Sequence, residues 1–165
     1  MKYIYFFWRL KLERSKNIFD KIGSLVPGYR GYADRDSRRN CDKLLRNEIA
    51  KEILGNKSVI NEKIKQEVKD KNFDALQDLE ERRQSLRSLS EKIKYAPYGE
   101  SSFFSDTQIK EDELKKIYQF DDELLSLLQS SKQKITSMSI NEIDAHITSI
   151  VSSIEARNNF IKEHK

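Results

Sequence analysis

Residues that break helices are scarce in this chain, and most of them fall in two short segments. Only two prolines and five glycines occur among 165 residues, which is too few for a turn-rich β protein. Both prolines and three of the glycines lie within residues 27–34 and 95–107. Outside these segments, apolar residues recur at intervals of three and four. The sequence therefore predicts an all-α fold, an elongated antiparallel helical hairpin or bundle with two aromatic-rich loops.

The longest helical pattern begins directly after the first loop. Asp34 is predicted as its N-cap, and Asp36 lies in the first turn, where an acidic side chain favours the helix dipole. Gly55 and Asn56 interrupt the apolar stripe. We interpret them as a kink within one helix over residues 34–70, rather than as a reversal of the chain.

Two further helices are predicted between residues 72 and 130. Asn72 is expected to cap the first of them, with Phe73 on its buried side. Asp106 or Thr107 is expected to cap the second. A kink at Gly55 would place both aromatic loops at the same end of the hairpin.

A final helix is predicted over residues 138–163. Ser139 and Glu142 form a capping box at its start. Its apolar residues follow a narrow seam close to heptad spacing, typical of packing along one partner helix, in this chain or in another copy. Self-association through a coiled coil of this helix is therefore one expectation.

The loop end is the predicted interaction surface. Arg35 or Arg39 is expected to meet Asp106 or Asp121, and two alternatives stay open: the arginines form a solvated helix face, or the loops only close the bundle. The candidate interaction residues are Tyr29, Tyr32, Arg35, Arg38, Arg39, Tyr95, Tyr98, Phe103, Phe104, Asp106 and Asp121.

Residues 1–26 form an aromatic and basic segment ahead of a single helical domain at 27–165. Its apolar run is too short to span a bilayer and does not match a signal peptide. Docking on the protein body or on a partner is expected, with peripheral membrane binding as the alternative. The candidate membrane-contact residues are Tyr3, Phe6, Phe7 and Trp8.

Charge and motif content favour no particular chemistry. The net charge is +4, but 31 basic and 27 acidic residues are interleaved, unlike the one-sided charge of a dedicated polyanion binder. The single cysteine, Cys41, falls on the apolar stripe and is predicted to be buried. His146 and His164 are far apart, and no zinc, Walker-type or dinucleotide motif occurs. We predict no catalytic, cofactor-binding or metal-binding residues, no small-molecule substrate and no enzymatic activity.

Three motifs occur in order between residues 27 and 130 and resemble those of a family of small, helical prokaryotic proteins of unknown function. The first comprises Pro27-Gly28-Tyr29, Gly31-Tyr32, Arg38-Arg39, Asp42-Lys43 and Leu45-Arg46. The second comprises Ile93-Lys94-Tyr95-Ala96-Pro97-Tyr98-Gly99, Phe103-Phe104 and Asp106; the third comprises Tyr118-Gln119-Phe120-Asp121 and Leu124-Leu125. The resemblance implies a helical core over 27–130 and a role for both loops, but no reaction.

Together these patterns predict a cytoplasmic, non-enzymatic interaction or scaffolding module. Its partner would be a protein that the sequence does not identify. Peripheral membrane binding through residues 3–16 is one alternative function. Nucleic-acid binding through the Arg35–Arg46 face is another, which the interleaved charge disfavours.

Overall fold

The protein is all-α over the part of the chain that its computed structural model describes, residues 18–95, 104 and 109–163. Helix α1 covers residues 18–25, and no strand occurs within these ranges. The remaining helices are α2 (Arg35–Lys69), α3 (Leu76–Lys94), α4 (Glu111–Lys132), a 3-10 turn (Ile135–Ser137) and α5 (Ile140–Glu163). The predicted helical fold class is confirmed.

Helix α2 is a single helix of 35 residues, as the kink interpretation of Gly55 requires. It is about 52 Å long at the usual rise per residue. The Asp34 side chain caps it by accepting a hydrogen bond from the Asp36 backbone N–H, as predicted. Gly55 faces the aliphatic end of the Lys132 side chain on α4, so closely that a Cβ atom would overlap with it. The absence of a side chain at Gly55 therefore allows the Lys132 side chain to pack closely against α2.

We expect the effect of Gly55→Ala to depend on Lys132. Alanine favours a helix interior by about 1 kcal/mol over glycine, but here the added Cβ must displace the Lys132 side chain from its ion pair with Glu52. In a Lys132→Ala background, Gly55→Ala should raise the free energy of unfolding by about 0.5–1 kcal/mol. In the wild-type background the gain should be smaller. Urea unfolding of the four proteins measures the difference, and equal gains in both backgrounds would contradict the proposed contact.

The turn between α2 and α3 differs from the prediction. Lys71 has φ of 56° there, and α3 begins at Leu76 with Ala75 at the N-cap position, so the cap predicted at Asn72 is wrong. The Asn72 side chain instead donates a 2.7 Å hydrogen bond to the Glu67 side chain in the last turn of α2. Because the helix starts later, Phe73 stays in the turn and is 62% exposed, not buried.

The starts of α4 and α5 are each closed by a glutamate three residues into the helix. Lys110 is the N-cap of α4, and its backbone N–H donates to Glu113 at 2.9 Å, so the caps predicted at Asp106 or Thr107 are wrong. At α5, the Ser139 N–H donates to Glu142 at 2.7 Å, and the Glu142 N–H donates to the Ser139 hydroxyl at 3.4 Å. The predicted capping box is confirmed.

Four helices form a bundle. Helix α2 packs against α3 and α4, and α5 packs against α4 and α3, so the order around the bundle is α2, α3, α5, α4. Ser90 Oγ donates to the Ala50 carbonyl between α3 and α2, and buried Asn56 donates to the Leu128 carbonyl between α2 and α4. The apolar seam of α5 packs against helices of this same chain, α4 and α3. Its buried members are Ile143, Ile150 and Ile161.

The first aromatic loop meets Phe104, a described residue of the second, at one end of the bundle. Phe104 lies between α3 and α4 in sequence, and its ring centroid is 5.4 Å from that of Tyr32 in the first loop. Both side chains are buried. This proximity confirms the expectation drawn from a kinked, unreversed α2.

Candidate functional site

An aromatic cluster fills the loop end of the bundle. Tyr32 is fully buried at its centre, and its ring centroid lies 5.4 Å from Tyr118 and 5.6 Å from Tyr29. Phe19 of α1 contacts both Tyr29 and Tyr118. The Tyr118 hydroxyl accepts a 2.7 Å hydrogen bond from the Tyr32 backbone N–H. The cluster thus joins α1, the first loop and α4.

A buried polar network lies directly behind Tyr32. Arg157 of α5 is 4% exposed and donates from Nε to Asp121 of α4 at 2.6 Å. Its Nη2 donates to Asp42 of α2 at 2.7 Å and to the Tyr32 hydroxyl at 3.2 Å. The Tyr32 hydroxyl in turn donates to Asp121 at 2.9 Å. One guanidinium therefore ties α5 to α2, to α4 and to the first loop.

Two arginines of α2 extend this network. Arg38 is 5% exposed and donates from Nε to the Tyr32 carbonyl at 2.6 Å. Arg46 binds the second carboxylate oxygen of Asp42 at 2.6 Å. Asp42 therefore holds one arginine on each oxygen. The Arg38, Asp42 and Arg46 side chains are directed into the protein, so the Arg35–Arg46 face does not present all its arginines to a polyanion.

Burial and neighbouring charges set the ionisation of the network. Burial raises the pKa of Asp121 above its usual range, although the adjacent Arg157 and the Tyr32 hydroxyl oppose this effect. Burial alone would lower the pKa of Arg157, but Asp121 and Asp42 hold it well above its usual value. Arg157 is therefore charged, and removing it would leave the buried Asp121 carboxylate without a cation and Asp42 with Arg46 alone.

The tyrosines of the cluster predict a loss of stability at alkaline pH. Burial, reinforced by Asp121, raises the pKa values of Tyr29 and Tyr32 above the ordinary value of 10.0. The folded protein keeps these protons when the unfolded chain releases them, so the stabilisation is complete below about pH 10 and declines above it. Above about pH 10, each of these two residues should lower the free energy of unfolding by about 1.4 kcal/mol per pH unit.

Urea unfolding between pH 8 and 11.5, with tyrosinate absorbance recorded in parallel, measures this decline. Tyr32→Phe should make the decline shallower, because one of the cluster tyrosines with a raised pKa is lost while Tyr29 and Tyr118 remain. Ionisation of every tyrosine of the folded protein near pH 10 would contradict the assignment.

The predicted interaction residues divide into buried and exposed sets. Asp121 contacts Arg157 and Tyr32, whereas Arg35 and Arg39 are exposed, so the predicted pairing of Asp121 with Arg35 or Arg39 is wrong. The reason is that Asp121 faces the bundle axis and α5 supplies its cation. The buried candidates are Tyr29, Tyr32, Arg38, Phe104 and Asp121.

Three candidates within the described part of the chain remain on the surface. Arg35 and Arg39 lie one turn apart at the start of α2, and Tyr95, just after α3, is 71% exposed. Lys94 lies over the Tyr95 ring at 5.4 Å. The candidates Tyr98, Phe103, Asp106, Tyr3, Phe6, Phe7 and Trp8 lie outside the described residues.

Sequence reasoning missed Arg157, Asp42 and Tyr118 as members of the site. A signal for Arg157 was present, because it follows Ile143 and Ile150 at seven-residue intervals on the buried seam of α5. Asp42 and Asp121 likewise occupy buried positions on the stripes of α2 and α4. A charged residue at a position of the apolar stripe therefore indicates a buried charge in this protein.

A groove of about 490 Å³ opens between α3 and α5, next to the network. Leu89 lines it from α3, while Ile147, Val151 and Ile154 line it from α5. Ile49 and Leu124 form its floor. We call this feature the α3–α5 groove.

The described side chains carry no evident metal centre. No cluster of three or more His, Cys, Asp or Glu residues suitable for a metal ion is found among them. Cys41 is buried, as predicted, and its sulfur accepts a 3.3 Å hydrogen bond from the Arg30 N–H. Within the same residues, no helix is both long and apolar enough to cross a membrane.

Comparison with known proteins identifies no relative of this chain. The chain matches no protein-family model, and neither a curated protein nor a solved structure shows significant similarity to it.

Proposed function

We propose that this chain is a non-enzymatic protein-interaction module that binds an acidic segment of a partner through Tyr95, Arg35 and Arg39. The observation that carries the proposal is the 71% exposure of Tyr95, in contrast to the loop aromatics Tyr29, Tyr32 and Phe104, which are buried. An exposed tyrosine offers a large, rigid contact area at a low cost in conformational entropy, and tyrosine and arginine are enriched among the residues that dominate binding energies.

The bundle topology supports grouping these three residues. Helices α2 and α3 are antiparallel, since Ser90 bonds to Ala50 while their turn lies at residues 70–75. The end of α3 therefore lies towards the start of α2. In this register Tyr95 is level with Leu45, about 9 Å along the helix axis from Arg39 and about 15 Å from Arg35, so a partner segment that contacts all three residues must extend over about 15 Å. The proposal assigns no reaction, because the ionisable groups of the buried network bind one another.

A photo-crosslinking amino acid at position 95, expressed in the source organism, tests this surface. The matched control is the same substitution at Phe73, an exposed aromatic at the opposite end of α3. We expect a discrete crosslinked protein from position 95 and not from position 73.

Charge reversal then tests the arginines. Arg35→Glu with Arg39→Glu should reduce the crosslinked product at least about tenfold, because like charges then face an acidic partner. Lys65→Glu with Lys69→Glu is the control, since these exposed residues have the same spacing at the far end of α2. No product from position 95, equal products from both positions, or equal loss with both charge-reversed pairs would overturn the proposal.

A further inference from the structure

We infer that the α3–α5 groove is the docking site for the aromatic run at residues 3–8 of the same chain. Residues 1–17 lie outside the described residues, whereas the groove and the start of α1 lie within them. The inference gives a location for the docking that the sequence predicts for this segment. It does not use the surface formed by Tyr95, Arg35 and Arg39.

The groove favours an occupant without charge. Its walls are apolar, and residues 145–154 of α5 include no Asp, Glu, Lys or Arg. The two lining arginines, Arg46 and Arg157, bind carboxylates of the buried network, and Lys92 is offset by Glu155. An occupant that brought a charge onto these walls would lose its hydration without gaining a free partner. The complementary ligand is therefore an uncharged apolar segment.

The aromatic run has the required composition and length. Residues 3–8 comprise two tyrosines, two phenylalanines, an isoleucine and a tryptophan, and they carry no charge. Six residues can span up to about 20 Å. The groove lining on α5 extends from Ile147 to Asn158, which is about 16 Å along a helix axis. Lys2 and Arg9 flank the run, so its uncharged length is comparable to that of the groove.

The described surface offers no comparable apolar segment to the groove of a second copy. Its exposed large hydrophobic residues are Leu54, Val68, Phe73 and Tyr95. Leu54 lies in the middle of α2, Val68 and Phe73 flank the turn between α2 and α3, and Tyr95 follows α3. The described part of a second copy could therefore present two of them together, whereas residues 3–8 present six apolar side chains in succession.

Helix α1 begins level with one end of the groove. Phe19, the second residue of α1, contacts Tyr118 of α4. Arg157, in the groove lining, donates to Asp121, which lies three residues or about 4.5 Å further along α4. The start of α1 and the Arg157 end of the groove therefore lie at similar heights along the bundle.

The intervening chain is long enough to reach the groove. Helix α1 contacts α4, α4 packs on α5, and the groove lies on the α3 side of α5. At 8–10 Å per helix spacing, about 20–25 Å separate the groove from the axis of α1. The nine residues at 9–17 can span up to about 30 Å.

Tethering favours this segment over a free ligand. A segment on a short linker has an effective concentration of about 1 mM, so a dissociation constant of about 1 mM gives half occupancy. A free ligand or a second copy at about 1 μM would need an affinity about a thousandfold higher for the same occupancy.

The fluorescence of Trp8 tests the inference in the full chain. Trp8 is the only tryptophan of the sequence, so its emission reports on the aromatic run alone. We expect emission at a shorter wavelength, and weaker quenching by acrylamide, than in the same chain unfolded in urea. Emission and quenching equal to those of the unfolded chain would overturn the inference.

A charge on the groove wall, with a matched control, locates the site. Val151→Glu should lower the ratio of docked to undocked segment at least about tenfold, equivalent to about 1.4 kcal/mol, because the carboxylate is desolvated by the docked run. Ser152→Glu, on the exposed neighbour outside the groove lining, should leave Trp8 emission unchanged. Ser88→Glu places the charge at the exposed rim and repeats the test without a change in the core. Equal Trp8 emission in Ser88→Glu and Ser152→Glu would overturn the inference.

Photo-crosslinking distinguishes the groove of the same chain from that of another copy. Benzoylphenylalanine in place of Phe7, in a mixture of protein labelled with light and heavy nitrogen, should crosslink to residues 85–93 or 147–158. We expect these products within one isotope. Products that join the two isotopes, or products that map outside these residues, would overturn the inference.

Vesicles test the alternative destination of the aromatic run, a membrane surface. Vesicles of phosphatidylcholine and phosphatidylglycerol should leave the Trp8 emission of the full chain unchanged. Emission that matches the unfolded chain until vesicles are added would overturn the inference. The groove variants leave Tyr95, Arg35 and Arg39 intact, so this inference and the proposed interaction surface can fail separately.

Discussion

Arg157→Met is expected to destabilise the protein by about 3–5 kcal/mol, because it leaves the fully buried Asp121 carboxylate without a cation and leaves Asp42 with Arg46 alone. Methionine keeps a long apolar side chain at the position, so the loss reflects charge rather than a cavity. Urea unfolding monitored by circular dichroism at pH 7 gives the free energy of unfolding for both proteins.

Two comparisons make this prediction specific. Arg87→Met removes an arginine from an exposed ion pair with Glu91 and should cost less than about 1 kcal/mol. Adding Asp121→Asn to Arg157→Met should restore part of the lost stability, because the uncompensated charge is then gone, whereas Asp42 keeps its ion pair with Arg46. A loss with Arg157→Met no larger than with Arg87→Met would show that the network is not buried as described.

Gly31→Ala is expected to cost about 2–4 kcal/mol, far more than Gly28→Ala at about 1 kcal/mol. The two glycines have nearly equal φ angles, 79° for Gly31 and 81° for Gly28, so the cost of a left-handed backbone is shared. They differ in the space around a new Cβ. At Gly31 it would overlap with the Phe19 ring and lie 2.6 Å from the Tyr118 hydroxyl. At Gly28 the nearest atom is a methyl carbon of Leu44, at 3.5 Å.

The difference between the two alanine variants isolates packing from backbone strain. In thermal and urea unfolding, the free energy of unfolding of Gly31→Ala should be well below that of Gly28→Ala. Adding Tyr118→Phe to Gly31→Ala should relieve only the overlap with the hydroxyl. Equal destabilisation at both positions would mean that Phe19 and Tyr118 do not close over the loop. The same comparison reports on the docking of α1.

Local sequence signals predicted the helices and the meeting of the loops. Asp34 as a cap, the Ser139 and Glu142 box and an uninterrupted α2 all depend on neighbours within a few residues, where spacing and side-chain chemistry are sufficient. Once α2 is continuous, geometry brings Tyr32 and Phe104 to one end. These parts of the fold could be predicted.

Features that depend on distant residues could not be predicted as readily. Asn72 has the chemistry of an N-cap, but its hydrogen bond to Glu67 holds it at the end of α2. Asp121 was predicted to meet Arg35 or Arg39 at the start of α2, whereas its cation comes from α5, 36 residues away. Arg157 lies between exposed residues, and only its position on the seam of α5 indicates burial.

The polar network also orders the events of biosynthesis. Asp42 and Asp121 leave the ribosome before Arg157, which follows them by 115 and 36 residues. At roughly 5–20 residues per second, Asp121 waits about two to seven seconds for its cation. Asp42 already has Arg46 in the same helix, but burying Asp121 before Arg157 is made carries an uncompensated desolvation penalty, which disfavours closure of the nascent bundle. Translation of the last helix thus supplies the charge that favours closure of the core, and we expect a chain terminated before residue 157 to keep the Asp121 carboxylate hydrated.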